Sequence, residues 1–152
     1  MAFTQRAYTP DDYSDLSAMI FELYAKDGAT TIGEMTAEKI DKTIAAFAEN
    51  PTLGTILLLA HKKDVVGYAI LTWFWSNEFG GKVVIIDELL LKAEHRGQGI
   101  GTAFFEYLFR QNPYGAVVYH IEVGLGNVQA NALYERVGFT YYKTAAMFKI
   151  LA

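Results

Sequence analysis

The chain has 152 residues, enough for one domain with a sizeable core, and its balance of 52% apolar and 20% charged residues argues against disorder. A formal charge of −4 offers no basic surface for nucleic acid, and the absence of cysteine removes disulfides, cysteine nucleophiles and thiolate metal sites. No apolar run is long enough to cross a bilayer and the N-terminus lacks the layout of a secretory signal, so a cytoplasmic protein with no membrane partner is expected.

Residues 3–8 read as a first strand. Thr9-Pro10-Asp11-Asp12 then opens a helix: Thr9 caps it, Pro10 fits its first position, and the two acids suit its positive end. Leu16, Met19, Ile20, Leu23 and Tyr24 follow at helical spacing as a buried stripe, and Asp27-Gly28 ends the element. Thr36 caps a second helix reaching Glu49, with Ile40, Ile44 and Phe47 on one side, and Asn50-Pro51 stops it. Strands over 55–61, 65–75 and 82–91, separated by turn residues, predict an antiparallel meander.

The next unit differs. A glycine-rich turn follows Leu91, then a helix with Ile100, Ala103, Phe104, Tyr107 and Leu108 on one face, then a strand over 116–123. Such a strand–helix–strand crossover makes its two strands parallel neighbours. A last helix over 127–136 presents Ala130, Leu133, Tyr134 and Val137 at helical spacing and stops at Gly138. Residues 140–150 are expected to close the sheet. The fold class is α/β: one domain over 1–152, with a mixed central sheet flanked by about four helices.

The turn Arg96-Gly97-Gln98-Gly99-Ile100-Gly101 lies between a strand and a helix. Its glycines admit left-handed backbone and close approach, and the free N–H groups at the helix start favour an anion such as phosphate. Arg96 either adds a charge-assisted contact or flanks the site. A Walker loop needs a lysine that Ile100-Gly101-Thr102 does not supply. A dinucleotide fingerprint finds an acid at Glu122 but belongs after the first strand of a doubly wound sheet, not after a meander. A ligand-free turn is the third interpretation.

Arg-x-x-Gly-x-Gly at Arg96 to Gly101, followed by Asn127-x-x-Ala130-x-x-Leu133-Tyr134-x-x-x-Gly138-Phe139, resembles the GCN5-related N-acetyltransferases. Two motifs in this order, each on its expected element, are far more specific than either alone. The resemblance implies acetyl-CoA as co-substrate. Its pyrophosphate would rest on the backbone amides of Gly97, Gln98, Gly99, Ile100, Gly101 and Thr102, and its pantetheine arm beside Leu89, Leu90 and Leu91. Asn127, Ala130 and Tyr134 would also meet the cofactor. Asn127 is equally a helix N-cap, and Tyr134 equally a core aromatic. As a functional group, the Tyr134 phenol would protonate the departing thiolate after direct attack by a neutral amine. Backbone N–H groups would stabilise the oxyanion. No metal is implied, and His61, His95 and His120 show no ligand spacing.

Asp87-Glu88 interrupts the apolar strand Val83 to Leu91, and strand alternation sends the two carboxylates to opposite faces. One of them is the candidate base. Gly81-Lys82, an apolar run, the acid pair and three leucines are similar to the diamine (spermidine/spermine-type) acetyltransferases, with the order of the acids swapped. That likeness implies a small-molecule amine acceptor, a homodimer, Asp27 as an amine contact, and His120 and Glu122 lining the substrate site. Trp73, Phe74, Trp75 and Phe79 are either walls of that site, core, or a dimer surface.

Overall fold

Segments of apolar residues punctuated by turn chemistry fold as strands β1 (Phe3–Ala7), β2 (Gly54–His61), β3 (Asp64–Ser76), β4 (Gly81–Leu91) and β5 (Ala116–Ile121). The helices are α1 (Tyr13–Asp27), α2 (Ala37–Glu49), α3 (Ile100–Gln111) and α4 (Val128–Arg136). The computed structural model describes residues 3–27 and 33–151. The strands form a five-stranded sheet in the order β1-β2-β3-β4-β5, antiparallel throughout except for the β4–β5 pair, which is parallel. The meander and the crossover are therefore where the turn residues and glycines placed them.

Helix starts follow local chemistry. Thr9 N–H donates to Asp12 Oδ2 at 2.9 Å, and the short 3-10 turn Pro10–Asp12 leads into α1. Arg6 clamps the same Asp12 with two 2.7 Å hydrogen bonds, which hold its carboxyl well below the usual carboxylate range. Thr36 caps α2 by accepting from the Lys39 N–H at 3.3 Å.

Two cores lie on opposite faces of the sheet. Leu16, Met19 and Ile20 of α1 and Ile40 of α2 pack with Leu58, Tyr68 and Leu90. On the other face Ile100, Phe104, Phe105 and Leu108 of α3 pack with Val84, Ile86 and Leu71, with Leu133 and Tyr134 of α4 against that cluster.

The sequence expectation fails at the C-terminal end. Residues 140–151 form no strand, and Tyr141, Tyr142, Met147, Phe148, Ile150 and Leu151 are exposed. The Tyr142 ring comes 5.3 Å from that of His120, so the segment reaches β5 without a backbone ladder. A strand needs a neighbour's edge as well as apolar content, and here the propensity is unrealised. β5 also stops at Ile121, short of the expected 123, which leaves Glu122 in the following loop.

Candidate active site

β4 carries an irregularity that decides where its side chains point. Ile70 pairs with Glu88, but the next residue, Leu71, pairs with Ile86, so Asp87 is an extra residue with no partner on β3. This is a β-bulge, and it shifts the alternation of the strand by one position. Before it, Val84 and Ile86 face α3. After it, Leu89 and Leu91 take that face, while Leu90 joins the core under α1 and α2. The expected opposition of Asp87 and Glu88 is thus overturned: both line one cleft beneath α1 and α2.

Glu88 is half-buried there and doubly held. The Tyr24 phenol donates to Oε2 at 2.9 Å and the Tyr68 phenol donates to Oε1 at 2.7 Å. Burial raises the pKa of Glu88 above its ordinary value; the two phenols oppose the rise and the neighbouring Asp87 charge adds to it. Asp87 stays exposed at the cleft mouth, yet desolvation by the surrounding protein and then the charge of Glu122 raise its pKa also. Tyr68 is fully buried, and desolvation with the adjacent Glu88 raises its pKa, so it remains a donor. Neither tyrosine was singled out from sequence as a site residue. Tyr24 reads as core stripe, and the one available signal is the phenol of Tyr68 within the otherwise aliphatic stretch Val65 to Leu71.

The bulge coincides with a second discontinuity. β4 pairs with β5 from Lys82↔Ala116 to Ile86↔Ile121 and no further. From Glu88 to Leu91 the strand keeps β3 on one side, through Ile70↔Glu88, Ala69↔Leu89, Tyr68↔Leu90 and Gly67↔Leu91, and among the described residues it has no strand partner on the other. A free strand edge of this kind presents backbone donors and acceptors suited to a ligand carrying amides.

The glycine turn lies just beyond. Gly97 and Gly99 have φ of 72° and 81°, the left-handed region, and a Cβ at either would meet open space. The first α-helical bond runs from Ala103 N–H to the Gly99 carbonyl at 2.9 Å. The N–H groups of Ile100, Gly101 and Thr102 precede it and have no intrahelical acceptor. Gly101 packs close to α4: a Cβ there would come within 3.1 Å of Leu133 Cδ2. The turn residues therefore fit a phosphate through backbone N–H groups at a helix start. The Ile100 side chain is buried in the core, which leaves only its backbone for a ligand. Gln98 Nε2 donates to the Glu94 carbonyl at 3.0 Å. Arg96 ties the turn to its surroundings: its Nε donates to the Leu91 carbonyl at 2.8 Å and Nη2 reaches Glu22 Oε1 at 3.4 Å. It braces the turn against the end of β4 and α1.

On α4, Asn127 Oδ1 accepts from the Ala130 N–H at 3.1 Å, the N-cap that its residue type permits. Tyr134 is partly buried, its ring edge-on to Phe105 at 5.6 Å and to Phe139 at 6.0 Å. His120 is on β5 opposite Ile85, and Glu122 follows that strand. The side chain of Asp27, at the end of α1, lies outside the described residues. The aromatic run sits elsewhere. Trp73 donates to the Thr52 carbonyl at 2.7 Å and stacks on Tyr114, while Phe74, Trp75 and Phe79 are exposed around the β3–β4 hairpin.

Solved structures share this architecture. An integron cassette protein from the mobile metagenome of Cole Harbour Salt Marsh superimposes with a TM-score of 0.79 at 24% identity, covering 97% of this chain and 90% of that one. A protein described as a possible acetyltransferase from Clostridium difficile 630 gives 0.78 at 20% identity, over 100% and 99% of the two chains. Glucosamine-6-phosphate N-acetyltransferase from Arabidopsis thaliana gives 0.66 at 17% identity, over 100% of each. No curated protein sequence matches the chain significantly. The family model of the Acetyltransferase (GNAT) family matches residues 18–139, and the chain belongs to this family of enzymes, whose usual acyl donor is acetyl-CoA.

Proposed function

We propose that this chain transfers the acetyl group of acetyl-CoA to the primary amine of a small cationic molecule at the open half of β4. The observation that carries this is the bulge at Asp87, which brings two carboxylates into one cleft where β4 loses its β5 partner. Acetyl-CoA supplies a thioester carbonyl as the electrophile. In the net exchange a C–N bond forms and a C–S bond breaks; the nitrogen loses a proton and the sulfur gains one.

The chain's own groups divide that task. Backbone N–H groups of the turn, from Gly97 to Thr102, hold the diphosphate, with Arg96 keeping the turn in place. Leu89, Leu90 and Leu91 offer the free strand edge to the amide-bearing arm, and Asn127 and Ala130 border it from α4. Asp87 and Glu122 attract an ammonium, whose arrival relieves the like-charge interaction between them. Glu88, aimed by Tyr24 and Tyr68, receives the proton that makes the amine nucleophilic. His120 lines the acceptor side, and Tyr134 protonates the leaving sulfur. Asp27, Asp87, Glu88 and Glu122 together favour a cationic acceptor, a diamine or polyamine among them.

A homodimer fits two unsatisfied surfaces, the outer edge of β5 and the exposed apolar residues of the C-terminal segment. Light scattering would then give twice the monomer mass.

Release of free thiol from acetyl-CoA across an amine panel tests the transfer directly. Turnover of at least one small primary amine is expected; stabilisation of the fold by ATP or NAD and not by acetyl-CoA would contradict the assignment. Tyr134→Phe should lower kcat by about 10²-fold with acetyl-CoA affinity nearly intact. Unchanged kcat would remove the phenol from the proton path.

A further inference from the structure

The cleft beneath α1 and α2 has a composition that narrows the acceptor. Its volume is about 210 Å³. Asp87 and Glu88 line it, the latter with the Tyr24 phenol upon it, and the other walls are mainly aliphatic: Ile20, Ile40, Ile44, Ile56 and Ile70 with Met35. Toward α2 stand Lys39, whose Nζ donates to the Glu34 carbonyl at 2.7 Å, and Thr43, whose hydroxyl donates to the Lys39 carbonyl at 3.0 Å. Among the described residues, no carboxylate other than the acid pair lines the cleft.

A linear polyamine placed here would set its second ammonium against isoleucine and the Lys39 cation. Each ammonium taken from water needs a counter-charge or a set of acceptors, and a like charge nearby adds to the cost. An apolar group gains in the same place by leaving water. The volume falls below the roughly 300 Å³ lower bound of drug-sized pockets, which fits one ring or a short branched chain.

We infer that the acceptor is a monoamine with a compact apolar body, its ammonium at Asp87 and Glu88 and its body between α2 and the isoleucines of β2 and β3. This rests on the acetyl-transfer function proposed above. Among the cationic amines that the acids permit, it selects against linear diamines and polyamines.

The test is kcat/KM, by thiol release, for ethylamine, isobutylamine, cyclohexylmethylamine, putrescine and spermidine. Within the monoamines the value should climb about fourfold for each methylene buried, until the cleft is full. Isobutylamine should exceed putrescine by at least about tenfold. Thr43→Asp, which puts a carboxylate on the α2 side of the cleft at a half-buried helix position, should shift the putrescine-to-isobutylamine ratio toward putrescine by about tenfold. A flat monoamine series, or putrescine and spermidine as the best substrates, would overturn the inference and leave acetyl transfer standing. A Thr43→Asp ratio equal to that of the parent would also overturn it. Absence of thiol release with every amine would sink the transfer assignment and this inference together.

Discussion

From Gly81 to Ile86, β4 lies between β3 and β5, with Val84 and Ile86 buried in the core under α3. From Asp87 to Leu91 the same strand is bulged, has β3 alone beside it, and carries the two carboxylates. The first half is held by pairing on both sides, with one register shift toward β5 between Lys82 and Val83, and by burial. The second half gives up a ladder and accepts buried charge, two costs that a purely structural strand avoids. Both departures begin at Asp87. The bulge turns Glu88 to the side that Asp87 takes, toward α1 and α2, and with it places Leu89 and Leu91 on the α3 face.

Deleting Asp87 should have the largest effect. It makes Ile86 and Glu88 neighbours on opposite faces, leaves Leu89, Leu90 and Leu91 on the faces they have, and removes the bulge together with one carboxylate of the cleft, so it is expected to abolish turnover. Active, stable deletion protein would show that the bulge has no part in the site. Glu88→Gln keeps the shape of the open half and removes its proton acceptor. It should cost about 10²–10⁴ in kcat while acetyl-CoA affinity, read by calorimetry, stays close to that of the parent.

The pH dependence separates the halves further. Glu88 must be ionised to accept a proton, and burial raises its pKa, so the acidic limb of kcat/KM should lie above the ordinary glutamate value of about 4.3. Tyr68→Phe removes a hydrogen bond to the carboxylate and should move that limb higher still. A downward shift would contradict the proposed clamp. The same raised pKa bears on stability: its contribution is fully present below the unfolded value and is lost as pH rises through the folded one. Ionised Glu88 therefore opposes folding at neutral pH, in part offset by Tyr24 and Tyr68. The smallest effect belongs to the closed half. Ile86→Val should cost about 0.5–1.5 kcal/mol of stability with kcat/KM unchanged.

Most of the fold was legible because its signals are local. Thr36, Asn50-Pro51 and Gly138 mark helix ends within a few residues of themselves, and the turns of the meander do the same for strands. The acids themselves were also visible as charge inside an apolar run. Their common orientation was not, since period-2 alternation assumes that no residue is inserted, and a bulge is defined only against the partner strand. The tyrosine clamp was hidden for a related reason: Tyr24 and Tyr68 reach Glu88 from 64 and 20 residues away. From its place in the turn Arg96 reads equally as an anion contact or a flanking residue, and its bonds to the Leu91 carbonyl and Glu22 depend on neighbours 5 and 74 residues away. Residues 140–151 carry strand-like composition, and only the spatial neighbourhood decides whether such a segment is paired.

The central claim is that acetyl-CoA uses the free edge of β4 and the start of α3. Amide hydrogen exchange with and without acetyl-CoA addresses it residue by residue. Protection should rise at Leu89 to Leu91 and at Gly97 to Thr102, while Val83 to Ile86 stay as slow as before. Protection confined to other segments, with these two unchanged, would contradict the account.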